Sequence, residues 1–88
     1  MSNLPLVSII MPTFNRADLI GESLDSVLSQ SYLNWECIIV DDGSNDTTES
    51  VVEAYLKKDK RFRYFYKENG GAAVARNFAI KNSSGIYI

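Results

Sequence analysis

The sequence predicts an α/β domain in which helices cover both faces of a mostly parallel sheet, a three-layer α/β/α arrangement. Two patterns carry that expectation. Short runs rich in β-branched and aromatic residues alternate three times with amphipathic stretches of helical period, and the connections between them are short. Some of the apolar runs are continuous rather than alternating, as in strands buried on both faces. A chain of 88 residues makes one small domain, and no internal repeat or interdomain linker is visible.

The elements follow in order. Val7-Ser8-Ile9-Ile10-Met11 is a short apolar run closed by Pro12, which cannot donate to a sheet ladder, and it reads as a buried strand. Asn15-Arg16-Ala17-Asp18 supplies a helix cap with an acid three positions on, and Ile20, Leu24, Val27 and Leu28 then mark one helical face that ends near Ser29 to Ser31. Trp35 to Val40 is a second strand that runs into the turn-rich acidic loop Asp41 to Asp46. Asp46-Thr47-Thr48-Glu49 resembles a capping box, followed by the stripe Val51, Val52, Tyr55, Leu56 and by cations at the helix end, Lys57, Lys58 and Lys60. Phe62 to Tyr66 is a third strand suited to a sheet edge. Asn69-Gly70-Gly71 breaks the chain before a third helix marked by Val74, Ala75, Phe78 and Ala79, and Ile86-Tyr87-Ile88 opens a fourth strand.

Composition removes several function classes. Hydrophobic residues form 45% of the chain and charged residues 23%, which excludes disordered, collagen-like and low-complexity chains. Nine Lys plus Arg against eleven Asp plus Glu leave a net charge of -2, against a general nucleic-acid binder. One cysteine cannot close an intrachain disulfide. The longest apolar stretch, Leu4 to Pro12, is broken by Pro5 and Ser8 and falls far short of the roughly 20 residues that cross a bilayer. No histidine is present, so the commonest general base and the commonest zinc ligand are both missing. The composition is that of a soluble, intracellular-type domain.

In an open parallel sheet, ligands bind outside the carboxyl ends of the strands. Three loops meet that description, and each has two readings. Pro12-Thr13-Phe14-Asn15 is either a strand terminator with a helix cap or a shelf on which Phe14 offers a ring face to a planar base. Asp41 and Asp42 either form local turns or present a carboxylate to an imide N–H or to ribose hydroxyls, and strand alternation lets only one of them face the crevice. Asn69-Gly70-Gly71 either merely starts a helix or leaves backbone N–H groups free for an anion, with Arg76 a little over one turn further on. Neither G-x-G-x-x-G nor G-x-x-x-x-G-K-[ST] occurs. Trp35, Cys37 and the aromatic run belong to packing, and Lys57 to Arg63 to a solvated helix end.

Taken together these motifs resemble one family. Val7-Ser8-Ile9-Ile10-Met11-Pro12-Thr13-Phe14-Asn15-Arg16 resembles the opening strand of inverting family 2 glycosyltransferases. The likeness continues through Ser26 to Tyr32, Trp35 to Ser44, Asn69-Gly70-Gly71, Ala75-Arg76-Asn77 and Gly85 to Ile88. It implies a GT-A fold, with residues 1–88 as its Rossmann-like, N-terminal nucleotide-sugar-binding part, truncated after the start of the fourth strand. The implied function is transfer of a sugar from a nucleotide-sugar donor, usually UDP-linked, to an acceptor hydroxyl with inversion. The acceptor would be a glycan or lipid-linked glycan of cell-envelope polysaccharide biosynthesis, and the place the cytoplasm or the cytoplasmic membrane face.

Carried over by position, Pro12, Thr13 and Phe14 would line the base pocket and Asp42 would accept from the uracil imide, with Asp41 as the second acid. Asn69 would face the base or ribose, and Arg76 the ribose-phosphate part. The resemblance assigns no catalytic residue and no metal ligand to this sequence. In the family, the strand begun at Gly85 leads to an Asp-x-Asp or Asp-Asp motif that holds Mn²⁺ or Mg²⁺ against the diphosphate, and the catalytic base follows later; both would fall beyond Ile88. The chain alone is therefore expected to bind nucleotide and turn over nothing. Two other readings stand beside this one: a non-catalytic nucleotide-binding module, and a module that self-associates through its unfinished fourth strand.

Overall fold

The computed structural model describes residues 5–87. Its strands are β1 (Val7–Thr13), β2 (Trp35–Asp42), β3 (Phe62–Lys67) and β4 (Ile86–Tyr87). The helices between them are α1 (Ile20–Ser29), α2 (Thr48–Lys58) and α3 (Ala72–Lys81). Ile88, which the sequence adds to the fourth strand, lies outside the described residues.

The strands form one sheet in the order β3-β2-β1-β4, with every pairing parallel. β2 is central, and all of its residues but Glu36 are buried. Alternation divides its side chains between two cores. Trp35, Cys37 and Ile39 pack with Ile20, Leu24 and Val27 of α1, Val52 of α2 and Phe62 of β3. Ile38 and Val40 pack on the opposite side with Ala75 and Ala79 of α3, joined by Ile10, Phe65 and Phe78. The continuous apolar character of β2 is thus the signature of a strand covered on both faces. The third strand lies at an edge, as its composition suggests. Burial pushes the Cys37 thiol up to about 12, so it stays protonated inside the core.

Helix starts differ from the simple capping patterns. Asn15 adopts a left-handed φ of 49°, which asparagine tolerates better than most residues. A turn follows, in which Leu19 and Ile20 N–H donate to Arg16 O, and α1 begins only at Ile20. Asn15 does not cap α1, because its side chain is used elsewhere. At α2, Asp46 Oδ1 accepts from both Thr48 N–H and Thr48 Oγ1, and the helix begins at Thr48 itself. The acid still satisfies the helix start, but two residues on instead of three.

β4 is short and is pinned by a polar cluster. Glu36 Oε2 accepts from Ser8 Oγ at 2.6 Å and from Ser84 N–H at 2.7 Å. Ser8 Oγ in turn accepts from Gly85 N–H at 2.9 Å, and Arg63 bridges Glu36 Oε1 and Asn82 O. Burial pushes the Glu36 carboxyl up, but the bonds from Ser8, Ser84 and Arg63 outweigh it and hold the group below its ordinary value. Gly85 passes so close to Leu6 that a Cβ there would collide with the Leu6 carbonyl. Gly85→Ala is therefore expected to lower stability by about 1–3 kcal/mol through overpacking, read from the urea midpoint. A variant as stable as the parent would show that β4 is not held against this backbone.

Candidate functional site

β2 carries both acids to its carboxyl end. The sequence places Asp41 and Asp42 in a loop, yet both are strand residues, paired with Tyr66 and Lys67 of β3. Continued strand geometry is what sends them to opposite faces of the sheet. Asp41 follows Cys37 and Ile39 towards α1 and α2. It is fully buried, with Oδ2 accepting from Tyr64 Oη at 2.6 Å and Oδ1 from Ser44 N–H at 2.8 Å. Its oxygens are committed to holding β3 and the β2–α2 loop, so this acid has the turn-forming role and does not line the crevice. Burial first, and then the Asp41 carboxylate, push the Tyr64 hydroxyl well above its ordinary value.

Asp42 follows Ile38 and Val40 towards α3. Oδ1 accepts from Lys67 Nζ at 3.1 Å and from Gly70 N–H at 2.8 Å, and Oδ2 accepts from Gly71 N–H at 2.9 Å. The glycine N–H groups expected to be free for an anion are thus already taken by a carboxylate of the chain itself. The Gly70 N–H does most to hold the Asp42 carboxyl below its ordinary value; burial opposes it, and Lys67 and the Gly71 N–H add to it. Asn69 Nδ2 donates to Asp42 O at 3.0 Å and completes the junction. Gly43, at a φ of 85°, lies under it: a Cβ there would come within 2.8 Å of Asn69 N.

A second set of bonds ties the β1–α1 loop to the β2–α2 loop. Asn15 N–H donates to Ser44 Oγ at 2.7 Å, and Asn15 Oδ1 accepts from Asn45 N–H at 2.9 Å. Arg16 N–H donates to Thr48 Oγ1, and Ala17 N–H to Asp46 Oδ2. These reciprocal contacts make one rigid wall out of two loops.

Between that wall and the start of α3 lies a cleft of about 530 Å³, lined by Pro12, Thr13, Phe14, Asn15, Arg16, Asp42, Asn69, Gly71 and Ala72. Five residues picked from the sequence therefore meet in one place: Pro12, Thr13, Phe14, Asp42 and Asn69. Two do not, since Asp41 is buried on the far face and Arg76 is exposed on α3 outside the lining. Phe14 is 43% exposed, with its ring available to the cleft. Thr13 is buried, and its Oγ1 is the buried side-chain polar atom without a hydrogen-bond partner among the described residues. Gly71, placed by the sequence in one of the three ligand loops, does line the cleft, whereas sequence reasoning gave no lining role to Arg16 or Ala72 and did not name Lys67 as the partner of Asp42. Parity held the signal for Lys67: it lies two residues beyond Phe65, which faces α3.

Residues 8–88 match the model of glycosyl transferase family 2. This chain belongs to that family. Among its relatives is the Bacillus subtilis protein TuaG, named as a teichuronic acid biosynthesis glycosyltransferase, 48% identical over 85 residues that make 96% of this chain and 34% of TuaG. Its fold is similar to that of the mannosyltransferase PcManGT from Pyrobaculum calidifontis, solved in complex with GDP-Man and Mn²⁺. The TM-score is 0.87 and the identity 32%, over 96% of this chain and 26% of that one. It is also similar to residues 1–349 of S. aureus TarS in complex with UDP, with a TM-score of 0.84 and 31% identity over 93% of this chain and 26% of that one. The GT-A fold implied by the motifs is thereby shown. The chain spans between a quarter and about a third of the length of the curated relatives it matches first.

Asp41→Ala would strand Tyr64 Oη and Ser44 N–H in the interior. Loss of such partners is expected to cost about 1–3 kcal/mol, measured by urea unfolding. An unchanged midpoint would remove Asp41 from the scaffold.

Proposed function

We propose that residues 1–88 form the N-terminal nucleotide-sugar-binding part of a glycosyltransferase that moves a sugar from a UDP-linked donor to an acceptor hydroxyl with inversion. The meeting of Pro12, Thr13, Phe14, Asp42 and Asn69 in one cleft at the carboxyl end of the sheet carries the reading. The neighbouring groups suit a nucleotide: Phe14 stacks on the base, Pro12 shapes the shelf beneath it, and Asp42 accepts an imide N–H. Asn69 meets the base or ribose. Arg76, exposed on α3, remains the candidate for the ribose-phosphate part. Two solved relatives support a nucleotide ligand and differ in its base, one holding GDP-Man and the other UDP. The teichuronic acid biosynthesis in the name of TuaG supports a glycan of the cell envelope as acceptor. No helix among the described residues is long and apolar enough to cross a membrane.

Mn²⁺ or Mg²⁺ belongs to the proposed function of the full-length enzyme, as the Mn²⁺ of the PcManGT complex suggests. The described residues do not fit such an ion. No group of three or more His, Cys, Asp or Glu among them could hold one. Asp41 and Asp42 face opposite sides of the sheet, and both already receive N–H or O–H donors. No step of transfer is therefore assigned to this chain, which is expected to bind nucleotide and transfer nothing.

Addition of UDP to the ¹⁵N-labelled chain is expected to move the amide signals of Phe14, Asp42 and Asn69 in a saturable way, and Phe14→Ala to weaken binding by about tenfold. Donor hydrolysis by the same chain with Mn²⁺ is expected to stay at background. Undisturbed signals in a folded chain, or metal-dependent product, would contradict the reading.

A further inference from the structure

An ionised carboxylate offers about four acceptor positions, two on each oxygen. On Asp42 three are occupied. Lys67 Nζ and Gly70 N–H fill Oδ1, and Gly71 N–H takes one position on Oδ2. Lys67 is held in this place, because its ammonium also donates to Glu68 O at 2.6 Å and its side chain is only 19% exposed. Gly70 packs against it, since a Cβ on Gly70 would lie 3.1 Å from Nζ. One acceptor position on Oδ2 remains.

That arithmetic bears on which base the cleft takes. Uracil presents a single imide N–H between two carbonyl oxygens. Guanine presents N1–H and the 2-amino N–H side by side, and a carboxylate matches that pair only with both oxygens open. We infer that Lys67 is a specificity-determining residue: by filling Oδ1 of Asp42 together with the Gly70 N–H, it leaves one acceptor position and so favours uracil over guanine. The inference rests on the reading of the cleft as a nucleotide site. A guanine in the cleft would leave one buried donor unpaired, and recognition sites penalise an unpaired buried polar group strongly. Removal of the ammonium reopens a position on Oδ1. The other charged groups near Asp42 do not duplicate Lys67: Arg16 lies in the opposite wall of the cleft, Asp41 faces the other side of the sheet, and Arg76 lies outside the lining.

Calorimetric titration of the folded chain with UDP, GDP and IDP tests this, since inosine keeps the purine and N1–H but lacks the 2-amino group. The parent chain is expected to bind UDP at least about tenfold more tightly than GDP, with IDP between them. Lys67→Met is expected to shrink the UDP-to-GDP ratio by about tenfold, and Lys67→Arg, which keeps a cationic donor, to preserve it. GDP binding as tightly as UDP, IDP no better than GDP, or an unchanged ratio in a folded Lys67→Met chain would each overturn the inference. Should that variant fail to fold, the IDP-to-GDP comparison on the parent chain still decides. A folded parent chain that binds none of the three would instead overturn the nucleotide site, and this inference with it.

Discussion

The carboxylate of Asp42 receives the hydrogen bonds that join the end of β2 to the end of β3 and to the turn before α3. The α3 side of the carboxyl edge of the sheet is placed by that junction. Hydrogen bonds to a charged acceptor are about twice as strong as neutral ones, so three of them on one carboxylate fix the glycine turn in a single arrangement. The turn in turn sets where α3 begins and how wide the cleft is. Asp42 is thus part of the scaffold and of the cleft lining at once.

The opposite wall is built by another device. The β1–α1 and β2–α2 loops exchange backbone and side-chain bonds through Asn15, Ser44, Asp46 and Thr48, so each holds the other as well as the start of its own helix. Left-handed Asn15 is the cost of that exchange, and its side chain repays the strain by accepting from Asn45. A preorganised cleft loses less freedom when a ligand arrives.

Much of this was legible in the residues. Continuous Cys37-Ile38-Ile39-Val40 meant a strand covered on both faces, and the helical periods located all three helices. Pro12, Thr13, Phe14, Asp42 and Asn69 were named from their places at strand ends and meet in one cleft. What failed was local chemistry with long-range partners. Asn15 carries an ordinary capping signature, but its side chain is recruited by the β2–α2 loop, and Asp46 bonds the start of its own helix yet also reaches back to Ala17; no window of neighbours reveals either long-range link. The division of labour between Asp41 and Asp42 was expected in principle from alternation. Which of them faced the crevice depended on which face α3 covers, and that is a property of the sheet as a whole.

The central claim is that one ionised carboxylate holds the glycine turn, and an acid titration followed by amide NMR tests it most directly. The Asp42 carboxyl is held below its ordinary value of 3.8, so its bonds persist above that pH and are lost as pH falls through the lower folded value. The Gly70 and Gly71 amide protons are predicted to shift together, upfield, with one shared midpoint below 3.8. Glycine amides that ignore the titration, or that move with separate midpoints, would contradict the account.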